Sequence, residues 1–155
     1  MPLLPVLHHK QHQQSDCLAA CAAMIMEYLH LPISYSRLLT LLKVRSFGTA
    51  FSNLHNLGTV FDLSITIRNG DLQLLRKWLA IGLPPIVALN TIDLPQWNGE
   101  ETDHAVVVVG IDEVHIYVND PEFDHAPQTI ELTHFELAWQ HQDYLCAVIG
   151  LDKIS

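Results

Sequence analysis

The sequence is short of charge, of cysteine and of any long apolar run. Charged residues make up 16% of the chain, below the usual quarter, so its surface has few solubilising groups. A partner, a self-association face or a peptide groove would each account for that. What charge there is runs acidic, with 17 Asp and Glu against 8 Lys and Arg and a formal net charge of −9. Such a chain repels phosphate backbones, which argues against nucleic-acid binding. No stretch reaches the roughly eighteen apolar residues of a membrane span, and the longest run, Cys17 to Met26, has the length of a buried core helix. The N-terminus, Met1-Pro2-Leu3-Leu4-Pro5, lacks a basic segment before an apolar block. No signal peptide is expected, and the chain is expected in the cytoplasm. Only three cysteines occur, Cys17, Cys21 and Cys146. An odd number in an unsecreted chain argues against a disulfide framework and leaves structural thiols or a reactive one. Repeats, low-complexity tracts and Gly/Ser linkers are also missing, so residues 1–155 read as a single domain.

What is present is an order of elements. Residues 1–15 grow polar toward their end and are rich in Gln and His, as in an extended lead-in. Asp16 is placed to cap a helix. Cys17 to Leu29 is dense in helix formers and apolar on nearly every side, so this helix belongs at the centre of the fold. Ser34 or Ser36 can cap a second helix reaching Val44, and Thr49 a third running toward Phe61. Leu63 to Ile67 alternates as a strand. Gly70-Asp71 opens a helix whose Leu72, Leu75, Trp78 and Leu79 recur at helical spacing, with Gly82 as its stop. Pro84-Pro85 precedes a strand at Ile86 to Leu89, and Asn90 to Asp103 reads as a polar loop. Strands then follow at His104 to Ile111, His115 to Val118, Gln128 to Leu132 and Tyr144 to Ile149, with a short helix from His134 to Gln140. Helices first and strands later is an α+β pattern rather than a doubly wound one.

The chemistry begins at Cys17. The first position of a helix meets unsatisfied N–H groups and partial positive charge, and both favour the nucleophilic thiolate. Cys21, one turn on, and Cys146, inside an apolar strand, read as core thiols. A thiolate nucleophile needs a base. A hairpin turning at Asp112-Glu113 would set position 104 opposite 120 or 121, bringing His104 beside Asp120 at one end of the sheet. A carboxylate there fixes the tautomer of the ring and leaves the other nitrogen for the thiol. The plain alternative is a surface histidine beside an ordinary turn aspartate in Asn119-Asp120-Pro121. An oxyanion would be met by the Cys17 N–H and by a side-chain amide, for which Gln11, Gln13 and Gln14 are all candidates.

The segment Gln11-His12-Gln13-Gln14-Ser15-Asp16-Cys17-Leu18-Ala19-Ala20-Cys21 resembles the N-terminal motif of the C39 peptidases. These are domains that cleave double-glycine leader peptides from bacteriocin precursors, usually fused to an exporting ABC transporter. Their later motif, a His before β-branched residues and then Asp-Pro, is matched by His104-Ala105-Val106-Val107-Val108-Val109 and by Asp120-Pro121. The resemblance runs from Gln11 to the last strand. It implies a papain-like fold, a helical part carrying the nucleophile packed on an antiparallel sheet carrying the base. It implies Cys17 as nucleophile, His104 as base, Asp120 as orienter and Gln11 as the oxyanion amide. It also implies a peptide or protein substrate cut after a small residue such as Gly, with an exporter or a precursor peptide as partner. Leu18 stands where transporter-linked members often have Gly. With no membrane or nucleotide-binding segment, the chain looks like a stand-alone member.

The same residues also fit other uses less well. Cys17 and Cys21 could share a metal ion with His8, His9 or His12, but structural zinc sites use tighter cysteine pairs. A redox pair would be spaced by two residues. No cofactor is expected. Trp97, in the loop before His104, fits a peptide subsite or lid, or plain packing on the body. Glu100, Glu101 and Asp103 would make the cleft rim acidic and favour basic peptides. The same triad also fits acyl transfer or deamidation, and the same fold without turnover fits a module binding leader peptides or a partner.

Overall fold

The structure, a computed structural model, describes residues 2–151. Met1 and residues 152–155, which the single-domain reading includes, lie outside the described residues. Helix α1 (Cys17–Tyr28) is followed by α2 (Tyr35–Leu41) and α3 (His55–Phe61). Strand β1 (Ser64–Asn69), helix α4 (Leu72–Ala80), and strands β2 (Ile86–Asn90), β3 (Asp103–Ile111), β4 (His115–Asn119) and β5 (Gln128–Glu131) come next. Helix α5 (Leu132–Gln140) and strand β6 (Leu145–Gly150) complete the order. The six strands form one antiparallel sheet in the order β1-β6-β2-β3-β4-β5.

Helices cover both faces of this sheet. One buried cluster joins α1, α2 and α3 to Ile86, Ala105, Val107, Val109, Ala147 and Ile149. The other joins Leu75 and Trp78 of α4 and Phe135, Ala138 and Trp139 of α5 to Val87, Leu89, Val106, Val108 and Val118. A strand apolar on both sides reads as a continuous run rather than an alternation, which accounts for Val106 to Val109. The sequence reading, a helical part on a sheet, does not separate these two layers, because α4 and α5 each carry an ordinary amphipathic stripe.

Helix α1 lies against the sheet through small residues. Ala19 and Ala22 have no exposed surface, and neither do Cys21 and Met24. Asp16 precedes α1 but does not cap it. Its φ of −112° and ψ of 26° are not those of an extended cap residue, and its carboxylate turns back to accept the Gln13 N–H at 2.8 Å. The 3-10 turn Gln14–Asp16 runs straight into α1, so the first N–H groups of α1 are not taken up by Asp16. Ser34 caps α2 as expected, accepting from the Arg37 N–H, though α2 ends at Leu41 rather than Val44. Thr49 caps nothing. Its hydroxyl donates to the Leu42 carbonyl, and the third helix begins as a 3-10 turn at Phe51. Gly82 ends α4 at φ +80°, a conformation easy for glycine.

The β3–β4 hairpin turns one residue later than expected, with the Asp112 N–H bonded to the His115 carbonyl at 2.9 Å. A bulge at Val109 then slips the register, pairing Val108 with Val118 and Val107 with Asn119. The bulge also shifts the alternation, so that Val106 and Val108 share a cluster with Ile111. Continued, this register sets His104 opposite Glu122, not 120 or 121. Pairing stops at Asn119, however, and the chain turns at Asp120, whose carbonyl accepts the Phe123 N–H at 3.1 Å. The lead-in runs past β3 and β4 to this turn. Leu4 N–H bonds the Val109 carbonyl, the Asn119 side chain bonds the Val6 carbonyl, and Gln11 N–H bonds the Pro121 carbonyl.

Ala22→Leu should destabilise the protein by about 1–3 kcal/mol, because the added carbons have no room between α1 and the sheet. Urea unfolding followed by tryptophan fluorescence checks this. An unchanged midpoint would mean that the α1–sheet contact is not tightly packed.

Candidate active site

Three segments meet at one end of the sheet. The N-terminus of α1 brings Cys17, the start of β3 brings His104, and the turn after β4 brings Asp120. A cleft of about 430 Å³ opens beside them. Cys17 and His104 both line it, with Gln14 and Leu18 on the α1 side and Thr102, Asp103 and Gln142 on the sheet side.

His104 Nε2 lies 2.7 Å from Asp120 Oδ1, and both side chains are buried. With Nε2 engaged, Nδ1 is the ring nitrogen left for the Cys17 thiol, with which the ring also interacts. Burial works against a charged imidazole, but the bonds to Asp120 and Cys17 outweigh it, and the His104 pKa is raised to about 10. The pair therefore favours the protonated ring at neutral pH.

Asp120 has no exposed surface, yet each carboxylate oxygen is met. Oδ1 accepts from His104 and from the Glu122 N–H at 3.0 Å, and Oδ2 accepts the Trp97 indole N–H at 3.1 Å. The Trp97 ring also stands edge-on to His104, 4.9 Å between centroids, and to Phe123. Trp97 is thus part of the site. Sequence reasoning weighed it as a subsite, a lid or simple packing and missed its bond to the carboxylate. An indole just ahead of the histidine was the one available signal.

Gln11 is also buried, with 7% of its surface exposed. Its amide nitrogen donates to Glu122 Oε2 at 3.0 Å, and its Oε1 has no partner within the protein. Among the described residues, the lead-in side chains that line the cleft are Gln14 and Ser15 rather than Gln11. Of the expected acidic rim, Asp103 lines the cleft, while Glu100 and Glu101 do not.

The other thiols are set apart by depth. Cys17 is half-buried, whereas Cys21 and Cys146 are fully buried. Burial pushes the Cys21 thiol well above its ordinary value, and it pushes Cys146 up to about 12. Among the described residues, no group of three or more His, Cys, Asp or Glu is arranged to hold a metal ion, and no helix is long and apolar enough to cross a membrane.

The chain matches the Peptidase C39 family model over residues 6–147 and belongs to that family. Its fold is similar to that of a C39-like peptidase from Bacillus anthracis, with a TM-score of 0.81 at 16% identity over 100% of both chains. It is also similar to a double glycine motif protease from an AMS/PCAT transporter, crystallised with the leader peptide, with a TM-score of 0.76 at 19% identity over 96% of this chain and 93% of that one. The peptidase domain of Streptococcus ComA, a bifunctional ABC transporter, gives a TM-score of 0.77 at 18% identity over 94% and 98%. The architecture is therefore the papain-like fold of C39 peptidase domains. None of the curated proteins compared with the chain matches its sequence.

The raised His104 pKa has a stability consequence. The folded state holds this proton more tightly than the unfolded state, whose histidine titrates near 6.5. The contribution is fully present below pH 6.5 and is lost as pH rises through about 10. In a proton NMR titration the His104 ring signals should stay at their protonated positions well past pH 8. Asp120→Asn removes the charged acceptor and should bring the transition down toward the ordinary value. A wild-type midpoint near 6.5 would show that the pair does not hold the proton.

Proposed function

We propose that this chain is a cysteine peptidase that hydrolyses a peptide bond through an acyl-enzyme on Cys17. The observation that carries this reading is the buried His104–Asp120 pair beside a half-exposed thiol at the mouth of a cleft. The Cys17 thiolate attacks the scissile carbonyl carbon, and the carbonyl π electrons move to oxygen. When the tetrahedral intermediate collapses, the C–N bond breaks, and the proton held by His104 goes to the leaving amine. Water then attacks the thioester, giving its proton to His104, and the acid and the thiolate separate. Asp120 holds the imidazolium through both steps. The Cys17 N–H and Gln11 are the proposed oxyanion donors.

Family membership and the likeness to a double glycine motif protease bound to its leader peptide support a peptide substrate with small residues before the cut. Residues 1–155 are read as one such domain working in the cytoplasm on a leader or other peptide. Among the described residues, Asp103 is the one carboxylate lining the cleft, and it supports a preference for basic residues near the scissile bond. Acyl transfer or deamidation would use the same acyl-enzyme with a different acceptor. A binding module would use the cleft alone.

Two experiments test this reading. The first is iodoacetamide alkylation of each cysteine against pH, resolved by peptide mass spectrometry. Near pH 6, Cys17 should react about tenfold or more faster in wild type than in His104→Ala, with the buried Cys21 and Cys146 as slow internal references. A Cys17 rate unchanged in His104→Ala would remove the catalytic reading in favour of a binding module. The second is a peptide library with Gly-Gly before the cut and varied flanking residues. Cleavage should favour Lys or Arg near the scissile bond in wild type, and the preference should weaken in Asp103→Asn. No preference, or a preference for acidic residues, would overturn the role given to Asp103.

A further inference from the structure

We propose that Glu122 is a positioning residue that fixes which end of the Gln11 side-chain amide acts as donor. This rests on the reading of Gln11 as an oxyanion donor. A primary amide has two ends of nearly equal size, and a half-turn exchanges a donor for an acceptor without changing its volume. Something must choose between the two orientations. Gln11 Oε1 has no partner within the protein, so nothing at that end chooses. At the other end the amide nitrogen meets Glu122 Oε2 at 3.0 Å. An ionised carboxylate only accepts, so it admits the N–H and rejects the carbonyl. The amide nitrogen has two hydrogens. Glu122 takes one, and the second is left for an oxyanion.

The backbone supports the same assignment. Gln11 N–H bonds the Pro121 carbonyl at 2.8 Å, and Glu122 N–H bonds Asp120 Oδ1 at 3.0 Å. The turn Asp120-Pro121-Glu122 thus holds the base with its first residue, the lead-in backbone with its second and the amide with its third.

The rival account treats Glu122 as an exposed acid whose bond to Gln11 is incidental. Its charge would then only oppose a developing oxyanion. The two accounts predict opposite signs for Glu122→Gln, which keeps the size and removes the charge. A glutamine can face either end of the Gln11 amide, so the choice of orientation is lost.

The probe is an acyl-Gly-glycinal peptide aldehyde. The Cys17 thiolate adds to its carbonyl carbon, the π electrons move to the oxygen, and that oxygen takes the His104 proton to give a thiohemiacetal. Its affinity for Glu122→Gln should fall about three- to tenfold, part of the roughly hundredfold cost of losing an oxyanion donor outright. Glu122→Ala should lose at least as much. Affinity that is unchanged or tighter in Glu122→Gln overturns the proposal. The iodoacetamide rate of Cys17, which needs no oxyanion donor, should stay within about twofold of wild type in both variants, and it reports separately on the triad. The amide itself is read by ¹⁵N NMR, with the Gln11 NH₂ signals assigned by their loss in Gln11→Ala. The two protons should be well separated in wild type and draw together in Glu122→Ala. If the separation is the same in both, Glu122 does not hold the amide and the proposal fails, whether or not the aldehyde binds.

Discussion

The Asp120 carboxylate is wholly buried, and the rest of the site follows from the donors it requires. A buried anion without partners would cost several kcal/mol or would take up a proton instead. Here its three donors come from three separate segments: His104 at the start of β3, the Glu122 N–H in the turn after β4, and Trp97 in the β2–β3 connection. Burying one carboxylate therefore fixes the position of all three segments. The histidine gains in turn. Burial alone would strip its proton, and the adjacent anion and thiol reverse that.

Depth along one helix separates the thiols. Cys17 and Cys21 are one turn apart on α1, yet only Cys17 reaches the cleft, because α1 enters the molecule end-on and is buried from Leu18 to Ala22. The small residues that let α1 approach the sheet also bring its N-terminus to the end of β3. With Asp16 turned back toward Gln13 and Tyr35, the N–H groups of the first turn remain available beside the thiol.

Much of this was legible in the sequence because it follows from local rules. The dense run after Cys17, the Ser34 cap, the Gly82 stop and the β-branched run after His104 each state a conformation in a few residues. The encounter of His104 with Asp120 was also within reach, since a hairpin brings its own ends together. The reason proved more indirect than the expected register. The turn comes one residue later, the bulge at Val109 slips the pairing, and Asp120 reaches the ring from a turn beyond the last paired residue. What was not legible depends on contacts distant in sequence. The Trp97 bond spans 23 residues and the Gln11–Glu122 bond spans 111. No periodicity or cap carries such a pairing. Thr49 and Asp16 show the same limit on a smaller scale, because both have capping chemistry that tertiary partners redirect.

The stretch from Asn90 to Asp103 reads in sequence as a polar loop, and its bonds argue for a fixed cover. Thr91 closes it from within: its N–H bonds the Thr102 carbonyl, its hydroxyl donates to the Glu100 carbonyl, and that hydroxyl accepts the Thr102 N–H. Asn90 bonds both the Ile92 N–H and Asp103 Oδ1. A segment that opens readily has few buried contacts and exposed backbone bonds. This one has a buried polar network at its base and a buried indole at its tip. Its polar composition therefore serves its own closure and not solvent. Closed in this way, it holds Trp97 over the His104–Asp120 pair and keeps the pair in surroundings of low polarity, where a charge-assisted hydrogen bond is stronger than in water. Cys17 and His104 line the cleft, while Asp120, on the far side of the ring, has no exposed surface.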